Sequence, residues 1–176
     1  NTGSKLTIHH LLSMSSGLPN YTDEANSIME REELLPKEFA LKYFKDTLLF
    51  EPGKNISYCN TGYYILGMII EAVTGKPYEN VLQERVFNVL EMTNSGIETP
   101  NQSIPNLAEG YTLYMGEYII PHPINMKTMT FSAGTIFSTV EDLFLWDKSF
   151  YSDKLLNAEN RKLMCTKYLP NYGYGV

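Results

Sequence analysis

Tyr58 and Asn60 stand two residues apart in the run Asn55-Ile56-Ser57-Tyr58-Cys59-Asn60. Side chains alternate along an extended segment, so Tyr58 and Asn60 would share a face and Cys59 would point away. A phenol that can shuttle a proton, beside an amide that both donates and accepts, suits acyl-transfer chemistry. The triplet alone does not decide this. A half-buried core tyrosine and an asparagine helix cap would produce the same three residues.

The flanking residues say how the pair would be held. Glu51-Pro52-Gly53 reads as a turn, since proline presets φ and glycine allows positive φ. Asn60 or Thr61 can cap a helix. Tyr63, Tyr64, Ile65, Leu66, Met68, Ile69, Ile70, Ala72 and Val73 then make that helix apolar on nearly every side, the pattern of a buried one. Gly75 supplies a left-handed stop, and Pro77 prevents continuation. A buried helix thus anchors the short segment that carries Tyr58 and Asn60.

Pro52-Gly53, Tyr58-Cys59-Asn60-Thr61-Gly62-Tyr63, Leu66-Gly67 and Gly75-Lys76-Pro77-Tyr78 together resemble the serine β-lactamase-related family. That family comprises class C β-lactamases, D,D-peptidases and related esterases. The stretch from Leu6 to Pro19 looks like its early helix and loop. Ser132-Ala133-Gly134-Thr135, followed by Glu141-Asp142-Leu143 and Trp146, looks like its late loop and helix. The matches run in family order along most of the chain; together they are specific, and singly none is.

The resemblance implies a fold class: an α-rich α+β helical lobe of the β-lactamase/D,D-peptidase fold, with a small β-hairpin and without the main sheet. It also implies that residues 1–176 are one partial domain, an internal piece of a serine hydrolase. Acyl transfer by an activated serine needs a nucleophile, a base, an oxyanion hole and a substrate clamp. Penicillin-binding enzymes take the nucleophile and its lysine from Ser-x-x-Lys on a helix. No serine here has lysine three residues on. Thr2-Gly3-Ser4-Lys5 has the spacing with threonine, in a glycine-containing start with no helix expected around it. Lys127-Thr128-Met129 lacks the glycine of the family's Lys-Thr-Gly strand. The resemblance therefore puts the serine upstream of Asn1 and the strand downstream of Val176. Tyr58 would move the serine proton together with the absent lysine. Asn60 would hydrogen-bond the lysine and a substrate amide, and Ser132 and Gly134 would line the substrate cleft.

The 176 residues suffice for one domain burying roughly 70% of its unfolded surface. At 43% hydrophobic and 19% charged, the composition is globular. A net charge of −6 argues against nucleic-acid or anionic-membrane partners, which need basic clusters. The apolar runs fall short of the roughly 18 residues of a membrane span. Cys59 and Cys165 lack metal-ligand spacing and read as free thiols. Neither metal nor cofactor is expected. His9 and His10, about 100° apart on a helix, cannot chelate one ion together and are taken as structural.

In order, helices are expected at Ile8 to Ser15, ended by Gly17, with an acidic turn at Met29 to Leu34. Pro36 would open a helix to about Thr47, and Pro77 or Tyr78 one to about Asn88. Val89 and Glu91 replace the family's usual Pro and Gly, which puts the local turn in question. Residues 93–110 read as a surface loop, and Tyr111 to Ile120 as a hairpin around Gly116. His122, between Pro121 and Pro123, reads as a loop residue. Ser138 with Glu141 forms a capping box for a helix to about Tyr151, whose core stripe is Leu143, Trp146 and Phe150. Asn157 caps a last helix to Cys165.

Three functions are compatible with this reading. The first is a bacterial, extracytoplasmic serine hydrolase acting on D-alanyl peptides, β-lactams or small esters. The second is a non-catalytic penicillin-binding-like regulatory or binding homologue. The third is a plain helical interaction module, which leaves the ordered matches unexplained. An apolar face left by the missing parts, joining the Tyr58 segment to residues 131–137, would favour a dimer.

Overall fold

The computed structural model of the chain describes residues 2–23, 34–98, 103–108, 110–119, 126–168 and 172–176. Its longest element is helix α3, Asn60–Thr74. The helix ends at Gly75 in the left-handed conformation, φ 67°, as the sequence predicts. Its start differs by one residue. Cys59 is the N-cap residue, with extended backbone and no capping bond from its own side chain.

The all-round apolar pattern of α3 overstates its burial. Thr61, Gly62, Tyr64 and Gly67 are buried, whereas Val73 near the far end is 80% exposed. The difference follows from what packs where. Helix α1, Ile8–Leu12, lies against Gly62, and the 3-10 turn Phe131–Ala133 lies on Gly67, so both cover the first half. A shallow apolar groove lined by Ile8, Leu12, Tyr63, Leu66, Ile69 and Tyr78 runs beside them.

Two core clusters meet at α3. One joins Tyr21, Phe39, Tyr64, Tyr78, Met129 and Phe131; the other joins Leu11, Met14, Leu18 and Cys59. Phe39 belongs to helix α2, Pro36–Tyr43, and stacks on Tyr64 at 5.2 Å and 16°. Each fully buried ring of this kind is worth about 1.5–3 kcal/mol in burial, with about 0.5–1.5 kcal/mol more from ring geometry. The Tyr64 and Tyr21 hydroxyls donate to the Thr128 and Met129 carbonyls of α6, Met126–Thr130. That satisfies two phenols that would otherwise be buried without partners.

Several elements are shorter than the sequence suggests. Helix α1 stops at Leu12 instead of Ser15, because Met14 turns left-handed at φ 57° and Ser13 bonds back to His9. Gly17 does not end it; glycine is needed there because a β-carbon would lie 2.3 Å from the Phe50 carbonyl oxygen. Helix α2 ends at Tyr43, with Phe44 extended so that its ring reaches Tyr21. Thr2–Lys5 is a 3-10 turn, contrary to the expected irregular start.

The segment after Pro77 is helical throughout, as α4 (Tyr78–Leu82), a π turn (Gln83–Phe87) and α5 (Asn88–Leu90). Glu91 follows in the left-handed conformation at φ 62°. The turn that Val89 and Glu91 put in question therefore forms, with a glutamate where glycine would be unstrained.

Residues 93–110 are not wholly loop. Strand β1, Gly96–Ile97, pairs antiparallel with β4, Ile136–Phe137. The expected hairpin is present as β2, Thr112–Tyr114, and β3, Glu117–Ile119. Met115 and Gly116 between them both take positive φ, which suits the strand twist.

Helix α7, Val140–Ser149, is capped by Thr139, not by the predicted Ser138, whose hydroxyl pairs with Ser95 instead. Leu143, expected in the core stripe, points outward at 52% exposed, and Leu145 and Trp146 pack against Phe87, Leu90 and Met92. Asn157 caps α8, Ala158–Cys165, as predicted. Residues 24–33 and 120–125, with the predicted acidic turn and His122, lie outside the described residues. Among the described residues no helix is long and apolar enough to cross a membrane.

Candidate active site

Of the predicted alternation, the outward Tyr58 and inward Cys59 are present. Cys59 is 2% exposed, packed with Leu11, Met14 and Leu18, while Tyr58 is 63% exposed. Cys59 is held by its backbone N–H to the Met14 sulfur at 3.3 Å, and its thiol points at the Leu18 carbonyl at 3.4 Å. Burial pushes that thiol above its ordinary range. An inward Cys59 forces Tyr58 outward, and the extended N-cap backbone carries this directly into α3. Asn60, half-buried, is then the first residue of the helix.

The loop after Pro19 laces this corner together. The Asn60 N–H donates to Asn20 Oδ1 at 3.0 Å, which supplies the cap that Cys59 lacks. Asn60 Nδ2 donates to Thr22 Oγ1 at 3.0 Å. Thr61 Oγ1 donates to the Pro19 carbonyl at 2.7 Å and accepts from the Tyr21 N–H at 3.0 Å. Asn20 Nδ2 donates to Asp23 at 2.9 Å. The sequence reading gave residues 20–23 no role. The available signal was Asn20-Tyr21-Thr22-Asp23 directly after a proline, a cluster with turn and capping chemistry.

Ser132 comes to the same helix from the other side. Its hydroxyl donates to the Tyr63 carbonyl at 2.8 Å and the Tyr64 carbonyl at 3.2 Å. Those carbonyls lie about one turn along from Asn60, roughly 5 Å of axial rise. Phe131 before it is buried at φ 41°, a conformation bulky residues rarely adopt, and its carbonyl accepts from Thr135 Oγ1 at 2.7 Å. Gly134 is exposed, with only Thr130 within 4.0 Å of where a β-carbon would sit. Of the segment 131–137 expected to be bare, Phe131 and Thr135 are buried, and Ile136 is 55% exposed.

The other flagged residues have structural partners. His9 Nδ1 lies 2.7 Å from the Tyr174 hydroxyl, and Tyr174 stacks on Tyr168. His10 Nδ1 accepts from the Thr7 N–H. Thr128 and Met129 lie on helix α6, so Lys127-Thr128-Met129 is no edge strand. Cys59 and Cys165 are both free.

Known proteins share this fold. A family model described as Beta-lactamase matches residues 1–173. PbpX, a penicillin-binding protein homologue of Bacillus subtilis, is 26% identical over 174 residues, 98% of this chain and 42% of its own length. The crystal structure of a penicillin-binding protein from Bacillus halodurans superposes with a TM-score of 0.81 at 25% identity, covering 100% of this chain and 59% of that one. A D-stereospecific amidohydrolase from Streptomyces shares the fold with a TM-score of 0.84 at 22% identity, over 98% and 56% of the two chains. The chain thus spans about two fifths of the curated relatives it matches, 42% for each of the first two. Its helices are the helical part of the β-lactamase and penicillin-binding-protein fold. The chain belongs to the beta-lactamase family.

Proposed function

We propose that the chain is the helical lobe of a serine hydrolase that opens a D-alanyl peptide, a β-lactam or a small ester or amide through an acyl-enzyme. One observation carries most of the weight: Tyr58 stands in solvent beside a Cys59 locked in the core. A tyrosine kept outward by its buried neighbour, next to a hydrogen-bonded Asn60, is arranged for work at a surface. In this reading a serine outside residues 1–176 attacks the substrate carbonyl. Its proton passes to Tyr58 and its lysine partner and then to the leaving nitrogen or oxygen. Asn60 uses its amide oxygen toward the lysine and an N–H toward the substrate carbonyl. The segment Ser132 to Gly134 borders the substrate, Ser132 as an anchor on α3 and Gly134 as open backbone. The same reading puts the parent protein outside the cytoplasm.

The test is covalent labelling. The parent protein, incubated with a fluorescent penicillin and with a p-nitrophenyl ester, should gain the mass of one acyl group on a serine outside these residues. Reversible binding without an adduct would favour the non-catalytic binding homologue.

A further inference from the structure

The Asn60 side chain is gripped by a residue to which nothing has so far given a role. Asn60 Nδ2 donates to Thr22 Oγ1 at 3.0 Å, from a loop residue 38 positions earlier in the chain. The same loop holds the Asn60 backbone through Asn20, and Asn20 is braced in turn by Asp23. Thr61, next on the helix, ties to Pro19 and Tyr21. The backbone of Asn60 is therefore fixed without Thr22. What Thr22 adds is a contact to the amide itself.

That contact matters because an amide has two unlike ends. Rotation about its terminal torsion is broad, and exchanging the ends swaps an acceptor for a donor. We infer that Thr22 is a positioning residue, whose hydroxyl anchors the Asn60 amide and limits its rotation. Thr22 Oγ1 takes one N–H, which leaves Oδ1 and the second N–H for other partners. Oδ1 is then the end available to a cation, and the second N–H the end available to a carbonyl. Without the Thr22 hydroxyl the amide turns more freely, and Oδ1 is aimed at the cation for a smaller share of the time. The consequence for rate rests on the role of Asn60 in the function proposed above; the grip on the amide does not.

Two measurements separate these levels. The first is nuclear magnetic resonance of the ¹⁵N-labelled chain, following hydrogen exchange of the Asn60 side-chain amide. Thr22→Val should exchange roughly fivefold faster than wild type, the effect of one ordinary hydrogen bond, and Thr22→Ser should match wild type. Equal exchange in Thr22→Val and wild type overturns the inference, with or without enzymatic activity. The second is acylation of the full-length parent by a p-nitrophenyl ester. Thr22→Val should lower the acylation rate about tenfold with a small change in KM, and Thr22→Ser should restore it. A Thr22→Val loss appearing only in KM, or one that serine does not rescue, overturns the positioning role. A wild-type parent that forms no acyl-enzyme removes the proposed function, while the exchange measurement still decides whether Thr22 holds the amide.

Discussion

Gly67 and Ser132 meet so closely that no side chain fits between them. A β-carbon on Gly67 would lie 2.1 Å from Ser132 Oγ and 2.7 Å from the Phe131 ring. Glycine inside a helix is unfavourable by about 1 kcal/mol relative to alanine, so a reason for it is required, and the reason is this contact. It lets the 3-10 turn lie flat on α3, with the Ser132 hydroxyl on the Tyr63 and Tyr64 carbonyls.

Gly67→Ala should therefore destabilise the chain despite its better helix propensity. Overpacking of this kind costs about 1–3 kcal/mol, and alanine returns about 1 kcal/mol. Urea denaturation should show a net loss of up to about 2 kcal/mol; a gain would mean that the turn moves aside freely.

Glu91→Gly should act in the opposite direction. Glu91 is exposed at φ 62°, where a β-carbon costs roughly 1–2 kcal/mol and glycine has no penalty. The greater freedom of glycine when unfolded offsets about half of that. Thermal melts should show a stabilisation of about 0.5–1 kcal/mol, and a loss of stability would show that Glu91 makes a compensating contact.

The two thiols should differ in reactivity. Cys165 is exposed and should react at once with a disulfide reagent, whereas Cys59 should react only on unfolding. Burial raises the Cys59 thiol above 9.0 and the Tyr21 and Tyr64 phenols above 10.0. The folded chain then holds these protons more tightly than the unfolded chain. Stability is consequently full below about pH 9 and falls as pH rises further. Melting temperatures taken from pH 8 to pH 10.5 should decline, and less steeply in Cys59→Ala. A flat profile would mean that these groups are solvated.

Local signals were legible and distant ones were not. The stop at Gly75, the Asn157 cap and the Gly116 turn each depend on residues within a few positions, so their chemistry is written in sequence. The outward Tyr58 and inward Cys59 followed from the period of two in an extended segment. The pairing of Gly96 with Phe137 joins two-residue strands forty positions apart, and neither strand has an alternation to read. The Asn20 cap on Asn60 is hidden for the same reason, since a cap is sought beside its helix. The missed shift from Ser138 to Thr139 came from a competing partner, Ser95, that only the folded chain brings near.

The isolated chain should not acylate with β-lactams or activated esters, because no serine in its sequence has lysine three residues on. A chromogenic cephalosporin and a p-nitrophenyl ester are the appropriate probes. Stoichiometric acylation of residues 1–176 would place the nucleophile inside them.

The central claim is that Tyr58 moves a proton in the parent enzyme, and removing its hydroxyl tests this most directly. Stopped-flow acylation of the parent should slow by roughly 10²-fold or more in Tyr58→Phe, the usual size of general acid–base help, with an unchanged melting temperature. Equal acylation rates in Tyr58→Phe and wild type would contradict the account and reduce Tyr58 to an exposed aromatic residue.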